Sequence, residues 1–262
     1  MKILIKLGGT LLDSPASRDR LARELADLQS AAELVVVHGG GKQMTRFLSE
    51  RGVESSFVGG LRVTTPDVID AVLKVLAGSV NHELLAALAA AGSNAVGLSG
   101  IDACIVEAEP MHADLGAVGR PVRCNPAVLN LLASNGYLPV IACVAGDRQG
   151  RVYNVNADQM AVACAAGFHA DRLLFLTDVD GVRGADSSIL PTLSPAACNA
   201  LISSGVATGG MQAKLNAACD ALAAGIGQVV IAPGALAGAA GRILAGEPIG
   251  TRLVPEGSAF NA

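Results

Sequence analysis

The chain predicts an α/β protein with a mostly parallel central sheet covered by helices. Three observations carry this. Short apolar runs alternate with segments of helical periodicity along the whole length. Hydrophobic residues make up 51% and aromatic ones only 3% of 262 residues, so the core is built from Val, Leu, Ile and Ala, as parallel sheets buried on both faces usually are. Two of the apolar runs end directly in glycines, "IKLGGT" and "VVVHGGGK", the turn chemistry found where parallel strands feed helices.

The elements follow in order. Residues 2–7, "KILIKL", read as a buried strand. Leu21, Leu25 and Leu28 set a helical period over 18–30. Residues 33–41 are a strand entering a glycine turn, and 42–51 resume a helix. Thr65 stands as N-cap and Pro66 at the first helical position of a long helix that Gly92 closes. Residues 94–100 form a strand. Residues 103–124 are irregular, polar and glycine-rich, which suits strand hairpins. A helix (126–134), a strand (137–144) and a helix (157–166) come next. A strand (172–177), helices (195–204 and 211–224), a strand (228–232) and a helix (235–245) complete the series. No internal repeat or low-complexity linker is visible. The weakest point for a lobe boundary lies near Gly167–Ala170, giving lobes 1–168 and 169–262.

Bulk properties narrow the function. The net charge of −4 argues against a nucleic-acid backbone binder, which needs a basic face. No apolar stretch approaches the roughly 18 residues of a membrane span, and Lys6, Gly8 and Gly9 interrupt the only N-terminal apolar run, so no signal peptide is expected. The six cysteines form no C-x-x-C pair. They read as small buried hydrophobes in a reducing cytoplasm.

Several motifs carry possible chemistry, and each has a plainer alternative. A glycine turn after a strand can be only a tight turn, yet two such turns, one carrying Lys6, favour a polyphosphate site. Neither is a Walker loop or a G-x-G-x-x-G fingerprint. Arg62 in "GLRVT" offers a planar fork suited to a carboxylate, or is a surface arginine. Asn154, Asn156 and Asp158, spaced two apart, share one face if the segment is extended, or form an Asx-rich turn before a helix. The "TDVDG" run, Thr177 to Gly181, opens like a calcium loop. That reading fails because Val182 and Ile189 stand where oxygen ligands are required. Lys214 in "GGMQAKLNAA" is either an exposed helix lysine or a phosphate contact.

Taken together, "IKLGG", "VVVHGGG", "GLRVT", "NVNADQ", "LTDVDGV" and "GGMQAKLNAA", in that order and across essentially the whole chain, resemble the amino-acid kinase family. The likeness is strongest to its branch that phosphorylates N-acetyl-L-glutamate. The resemblance implies a three-layer αβα sandwich with two lobes, the first for the acceptor and dimerisation, the second for ATP. It implies transfer of the ATP γ-phosphoryl group, with Mg²⁺, to the γ-carboxylate of N-acetyl-L-glutamate. Lys6 and Lys214 would stabilise the phosphoryl group, with Asp158 holding both lysines. Gly40, Gly41, Arg62, Asn154 and Asn156 would bind the acceptor. Gly8, Gly9, Thr177, Asp178, Val179, Asp180, Gly181, Gly209 and Met211 would bind the nucleotide, with Gly8, Gly9, Gly40 and Gly41 as backbone donors. No protein metal ligand is expected, because Mg²⁺ would be held by ATP oxygens and water. Two other readings are a carrier-bound aminoadipate kinase and a non-catalytic nucleotide or amino-acid sensor on the same fold; retention of both lysines speaks against the sensor. The first strand opens at Lys2, leaving no room for the preceding helix that links dimers of arginine-inhibited relatives into hexamers. The expectation is a cytoplasmic homodimer, built on the helix from Pro66, that does not respond to arginine. Lys42, directly after the second glycine turn, has no role in this scheme.

Overall fold

A computed structural model describes residues 1–257. Its centre is an eight-stranded sheet. Across it run Thr192–Leu193, Thr251–Leu253, Gln228–Pro233, Arg172–Thr177, Lys2–Leu7, Glu33–His38, Leu138–Ala142 and Ala95–Ser99. The last six of these are mutually parallel. Thr251–Leu253 runs antiparallel to Gln228–Pro233, and Thr192–Leu193 follows its direction at the edge. Helices pack on both faces, which is the predicted αβα sandwich. Ile3, Leu4, Ile5 and Leu7 are all fully buried, so both faces of the Lys2–Leu7 strand are covered. That is why the run reads as continuous rather than alternating.

The order of strands locates the site. From Lys2–Leu7 the chain crosses to Glu33–His38 on one side, and it later returns as Arg172–Thr177 on the other. In an open parallel sheet, this change of direction leaves a crevice at the carboxyl ends of the strands. Lys6 and both glycine turns stand at those ends.

Several expectations need correction, among them the helix expected at 235–245, which spans only Ala239–Leu244. The first helix is Pro15–Gln29 rather than 18–30; Ser14 Oγ accepts from the Ser17 N–H at 3.3 Å and Pro15 takes the first position. The Ser-Pro start signal outweighs the leucine period, which begins a turn later. The strand expected at 137–144 breaks in two, and its second piece, Val144–Gly146, joins Val106–Pro110, Val118–Cys124 and Val152–Val155 in a small closed barrel. The expected hairpin within 103–124 is therefore one half of that barrel. Asn154, Asn156 and Asp158 do not share an extended face. The strand ends at Val155, Asn156 caps the Ala157–Phe168 helix, and Asp158 lies in its first turn.

The long helix starts as expected, with Thr65 Oγ1 accepting from the Val68 N–H at 3.4 Å. It runs Pro66–Ala90, 25 residues, and is long and apolar enough by length and composition to cross a membrane. The expectation that nothing approaches such a span holds for uninterrupted apolar runs but not for this helix. Val68, Val72, Val75, Leu76, Val80, Leu84 and Leu88 bury its inner face in the core. Its middle, Leu73–Val80, is π-helical.

Candidate active site

Lys6 begins the site. It sits one residue before the end of its strand, in register with Val37 and Phe175, and is only 6% exposed. An ammonium this deep needs a counter-charge. Asp158 supplies it, with Oδ1 2.7 Å from Lys6 Nζ. The other carboxylate oxygen, Oδ2, accepts from Lys214 Nζ at 3.1 Å. Burial alone would raise the Asp158 pKa. The charges and hydrogen bonds of Lys6 and Lys214 outweigh it and hold the carboxyl below the usual aspartate range. Asp158 is therefore an ionised clamp between two ammonium groups.

The two glycine turns meet above Lys6. A Cβ at Gly9 would stand 2.8 Å from Gly40 N and 3.0 Å from Gly41 N, so the turns pack backbone on backbone and only glycine fits there. Gln43 Nε2 donates to Gly9 O at 3.0 Å and ties the second turn to the first. Gly8 is placed otherwise than expected. Its N–H donates to Leu176 O at 2.9 Å, and the Gly39 N–H donates to Leu7 O at 3.1 Å. The N–H groups of Gly9, Gly40 and Gly41 have no acceptor among the described residues. Gly40 and Gly41 also open the Gly41–Glu50 helix, whose positive end faces the same space.

Beside this point lies a cavity of about 230 Å³. Lys6, Gly9, Gly40, Gly41, Arg62, Asn154 and Asn156 line it, as do Met44, Phe57, Leu61, Leu76 and Cys143. It is smaller than the roughly 300–1,000 Å³ of drug-sized sites, which suits a small acid better than a whole nucleotide. Arg62 comes from the short hairpin of Phe57–Val58 and Leu61–Arg62. Its guanidinium donates to Thr45 Oγ1 at 2.9 Å, to Gly41 O at 3.2 Å and to Ser55 Oγ, and lies 4.6 Å from the centre of the Phe57 ring. Partial burial lowers its pKa, but guanidinium stays charged. No carboxylate pairs with it among the described residues. Asn154 Nδ2 donates to Thr64 Oγ1 at 3.0 Å. Asn156 Oδ1 accepts from the N–H groups of Asp158 and Gln159.

The remaining residues lie outside that cavity. Thr177 is buried beside Gly8, and its Oγ1 donates to Asp178 Oδ1 at 3.0 Å. Asp178 is exposed and Val179 half-buried. Asp180 pairs with Arg183 at 3.4 Å on the surface, and Gly181 packs against Ile189 and Thr251. Gly209 and Met211 open the Gly209–Ala223 helix, whose N-terminus has no side-chain cap and which carries Lys214 one turn further on. No group of three metal-ligating side chains occurs among the described residues.

Sequence reasoning missed four residues here. Gln43 ties the turns together, and Thr64 holds Asn154. His38 and Cys143 lie under the second glycine turn, with Cys143 Sγ donating to His38 O at 3.0 Å. Burial pushes the Cys143 thiol up to about 12 against the pull of Lys6, so it is neutral. The histidine in "VVVHGGG" was a readable signal: a polar residue closing a buried strand needs partners. Lys42 is exposed in the first turn of the Gly41–Glu50 helix, away from the residues lining the cavity.

Comparison with known proteins extends the geometry. The acetylglutamate kinase of Solibacter usitatus (strain Ellin6076) is 66% identical over 255 residues, 97% of this chain and 99% of that protein. The acetylglutamate kinase of Acidobacterium capsulatum is 45% identical over 236 residues, 89% of this chain and 91% of its own. Among solved structures, N-acetylglutamate synthase from Neisseria gonorrhoeae, complexed with coenzyme A and N-acetyl-glutamate, superposes with a TM-score of 0.87 at 25% identity. That match covers 98% of this chain but 60% of the synthase. Carbamate kinase from Giardia lamblia shares the fold at a TM-score of 0.72 and 17% identity, over 97% of this chain and 98% of its own. The model of the amino acid kinase family matches residues 1–233, a span that holds both glycine turns, Arg62, Asp158 and Lys214, and the chain belongs to that family.

Proposed function

We propose that this chain is a kinase that transfers the γ-phosphoryl group of ATP to the γ-carboxylate of N-acetyl-L-glutamate, a step of arginine biosynthesis. The observation that carries the reading is the Lys6–Asp158–Lys214 bridge beneath the paired glycine turns, next to a small cavity lined by Arg62, which pairs with no carboxylate among the described residues. The two acetylglutamate kinases, matched over nearly their whole lengths, supply the substrate.

The chemistry fits the residues. A side-chain carboxylate with a pKa near ~4.3 is already ionised at neutral pH, so the acceptor needs no general base. The obstacle is repulsion between this anion and the polyphosphate. Arg62 would hold the α-carboxylate, with Asn154 and Asn156 on the amide side, and so aim the γ-carboxylate at phosphorus. One carboxylate oxygen then forms the new P–O bond while the bond from phosphorus to the β–γ bridging oxygen breaks, and ADP leaves with that electron pair. Negative charge grows on the bridging oxygen, while that of the transferring group is spread over its three outer oxygens. Lys6, Lys214 and the N–H groups of Gly9, Gly40 and Gly41 are placed to stabilise it without reorganising.

The strand end at Thr177 to Gly181, with Gly209 and Met211, would receive the nucleotide. Residues 1–168 thus serve the acceptor and 169–262 the ATP. Asp158 is engaged by two lysines, and Mg²⁺ would ride on the phosphate oxygens and water. We place the enzyme in the cytoplasm, as a homodimer.

Hydroxylamine trapping tests the reaction. Incubation with Mg-ATP and N-acetyl-L-glutamate should yield a hydroxamate from the acyl phosphate. A good yield with another carboxylic acid and none with acetylglutamate would overturn the substrate assignment.

A further inference from the structure

The second glycine turn rests on a buried polar pair that the reaction scheme above does not use. His38 closes its strand and is fully buried, in register with Leu7 of the neighbouring strand. Its Nδ1 lies 3.1 Å from Gly39 O, and its Nε2 lies 3.0 Å from Asn81 Nδ2. Asn81 Nδ2 also donates to Val140 O at 3.2 Å. This second contact settles the amide orientation, because a flipped amide would set oxygen against oxygen. An amide nitrogen only donates, so Nε2 must accept. The ring proton is then on Nδ1, where it donates to Gly39 O and holds the peptide that leads into Gly40.

The helix opposite is built for this contact. In an α-helix, residues five apart point about 140° away from each other. In the π-helical Leu73–Val80 turn, bonds run from i to i+5, and residues so spaced come onto one side. Leu76 and Asn81 are five apart. Leu76 Cδ2 packs on Gly40, 2.5 Å from where a Cβ would stand, and Asn81 reaches His38. Both ends of one turn therefore press on the same loop. Gly97 makes room behind it: a Cβ there would fall 2.2 Å from Asn81 Oδ1.

We propose that His38 and Asn81, delivered by this π-helical turn, are positioning residues that fix the second glycine turn so that the N–H groups of Gly40 and Gly41 face the transferred phosphoryl group. The proposal rests on the kinase reading for its target, and on geometry alone for the strut. The ring nitrogens meet the Gly39 carbonyl and the Asn81 amide, and the His38 backbone carbonyl accepts from the Cys143 thiol. Of the elements packed against its strand, Lys2–Leu7 carries Lys2 and Lys6, the Ala157–Phe168 helix carries Asp158, and the Pro15–Gln29 helix carries Arg18, Asp19, Arg20, Arg23, Glu24 and Asp27; Lys6 and Asp158 pair with each other. Burial lowers the imidazole pKa to about 4, so the strut is neutral throughout the physiological range.

Two measurements test it. The first is steady-state kinetics. His38→Leu should lower kcat about 10–100-fold, the scale of a misplaced catalytic donor, with the acceptor KM changed less than about threefold. His38→Asn, whose amide can donate from near the Nδ1 position, should recover most of the loss. Asn81→Asp keeps the shape but offers the ring an acceptor, so kcat should gain an ionisation absent from the parent profile. The second is ¹⁵N spectroscopy of the ring, which needs no substrate. His38, assigned by its loss in His38→Asn, should show the neutral Nδ1–H tautomer from pH 7.5 to pH 5. Parental kcat in His38→Leu, an Nε2–H tautomer, or titration near pH 6.5 would each overturn the strut. A parent that makes no hydroxamate from acetylglutamate would instead sink the kinase reading, and the ring spectra would still decide on the strut.

Discussion

A carboxylate between two ammonium groups is a costly arrangement in a protein interior, and its cost explains its use. Lys6 and Asp158 are both nearly buried, and replacing such a pair by apolar side chains is often neutral or stabilising. Stability alone is therefore a weak reason to keep it. A preorganised cation at the place where negative charge develops is a stronger one. If this is the task of the lysines, Lys6→Ala and Lys214→Ala should each lower kcat by ~10²–10³ while the ATP KM shifts much less. Initial-rate kinetics over both substrates separate the two parameters, and a change confined to KM would remove the lysines from the transition state. The lysines and Asp158 were legible in the sequence through the motifs around them. That Asp158 spans both was implied only by family resemblance, since no spacing rule joins positions 6, 158 and 214. His38 was in plain view within "VVVHGGG", but its partner Asn81 is 43 residues away and nothing local connects them.

At the scale of elements, the strands and helices that carry strong local signals were read to within a few residues. The elements that depend on distant partners were not. Lys2–Leu7, Glu33–His38 and Arg172–Thr177 announce themselves as apolar runs ending in turn residues. The Phe57–Val58 and Leu61–Arg62 hairpin is two residues per strand, with Phe57 and Val58 exposed, and so has no alternation to detect. The π-helical stretch is similarly silent, because its apolar pattern differs from an α-helix only in which neighbours it meets. Yet the hairpin has a distinct task. It holds Arg62 over the cavity, braced by Thr45, Ser55 and the Phe57 ring. Lysine at this position would keep the charge but lose the planar fork and its stacking. Arg62→Lys should accordingly raise the acetylglutamate KM by roughly 10–100-fold, the value of one or two charge-assisted hydrogen bonds, with kcat less affected. Isothermal titration with acetylglutamate gives an independent reading. Equal losses for ATP would show that the hairpin serves the nucleotide instead.

At the scale of the whole molecule, the sheet order could not be derived from the chain. Alternating strands and helices imply a parallel sheet, but not that Arg172–Thr177 inserts beside Lys2–Leu7 and so creates the crevice. One long-range feature did follow from the sequence, the apolar helix beginning at Pro66. Its inner face is consumed by the core, but Leu73 remains 40% exposed and Ile69 partly so. With Pro110, Ala117, Val152 and Tyr153, and with Asp70 and Arg151 among the lining, they form a groove of about 560 Å³. An exposed, largely apolar groove favours association, and a two-fold axis would let the same helix meet itself. The expected state is therefore a homodimer through Ile69 and Leu73. Leu73→Glu would set two carboxylates against each other across such an axis and should shift the protein to monomer in light scattering at micromolar concentration. The lysines, the glycine turns and Arg62 all come from one protomer, so kcat in the monomeric variant should stay within a few-fold of the parent. A variant that remains dimeric would move the interface elsewhere, whereas a monomer without activity would mean that pairing braces the helix, and through its π-helical turn the glycine loop that the helix touches.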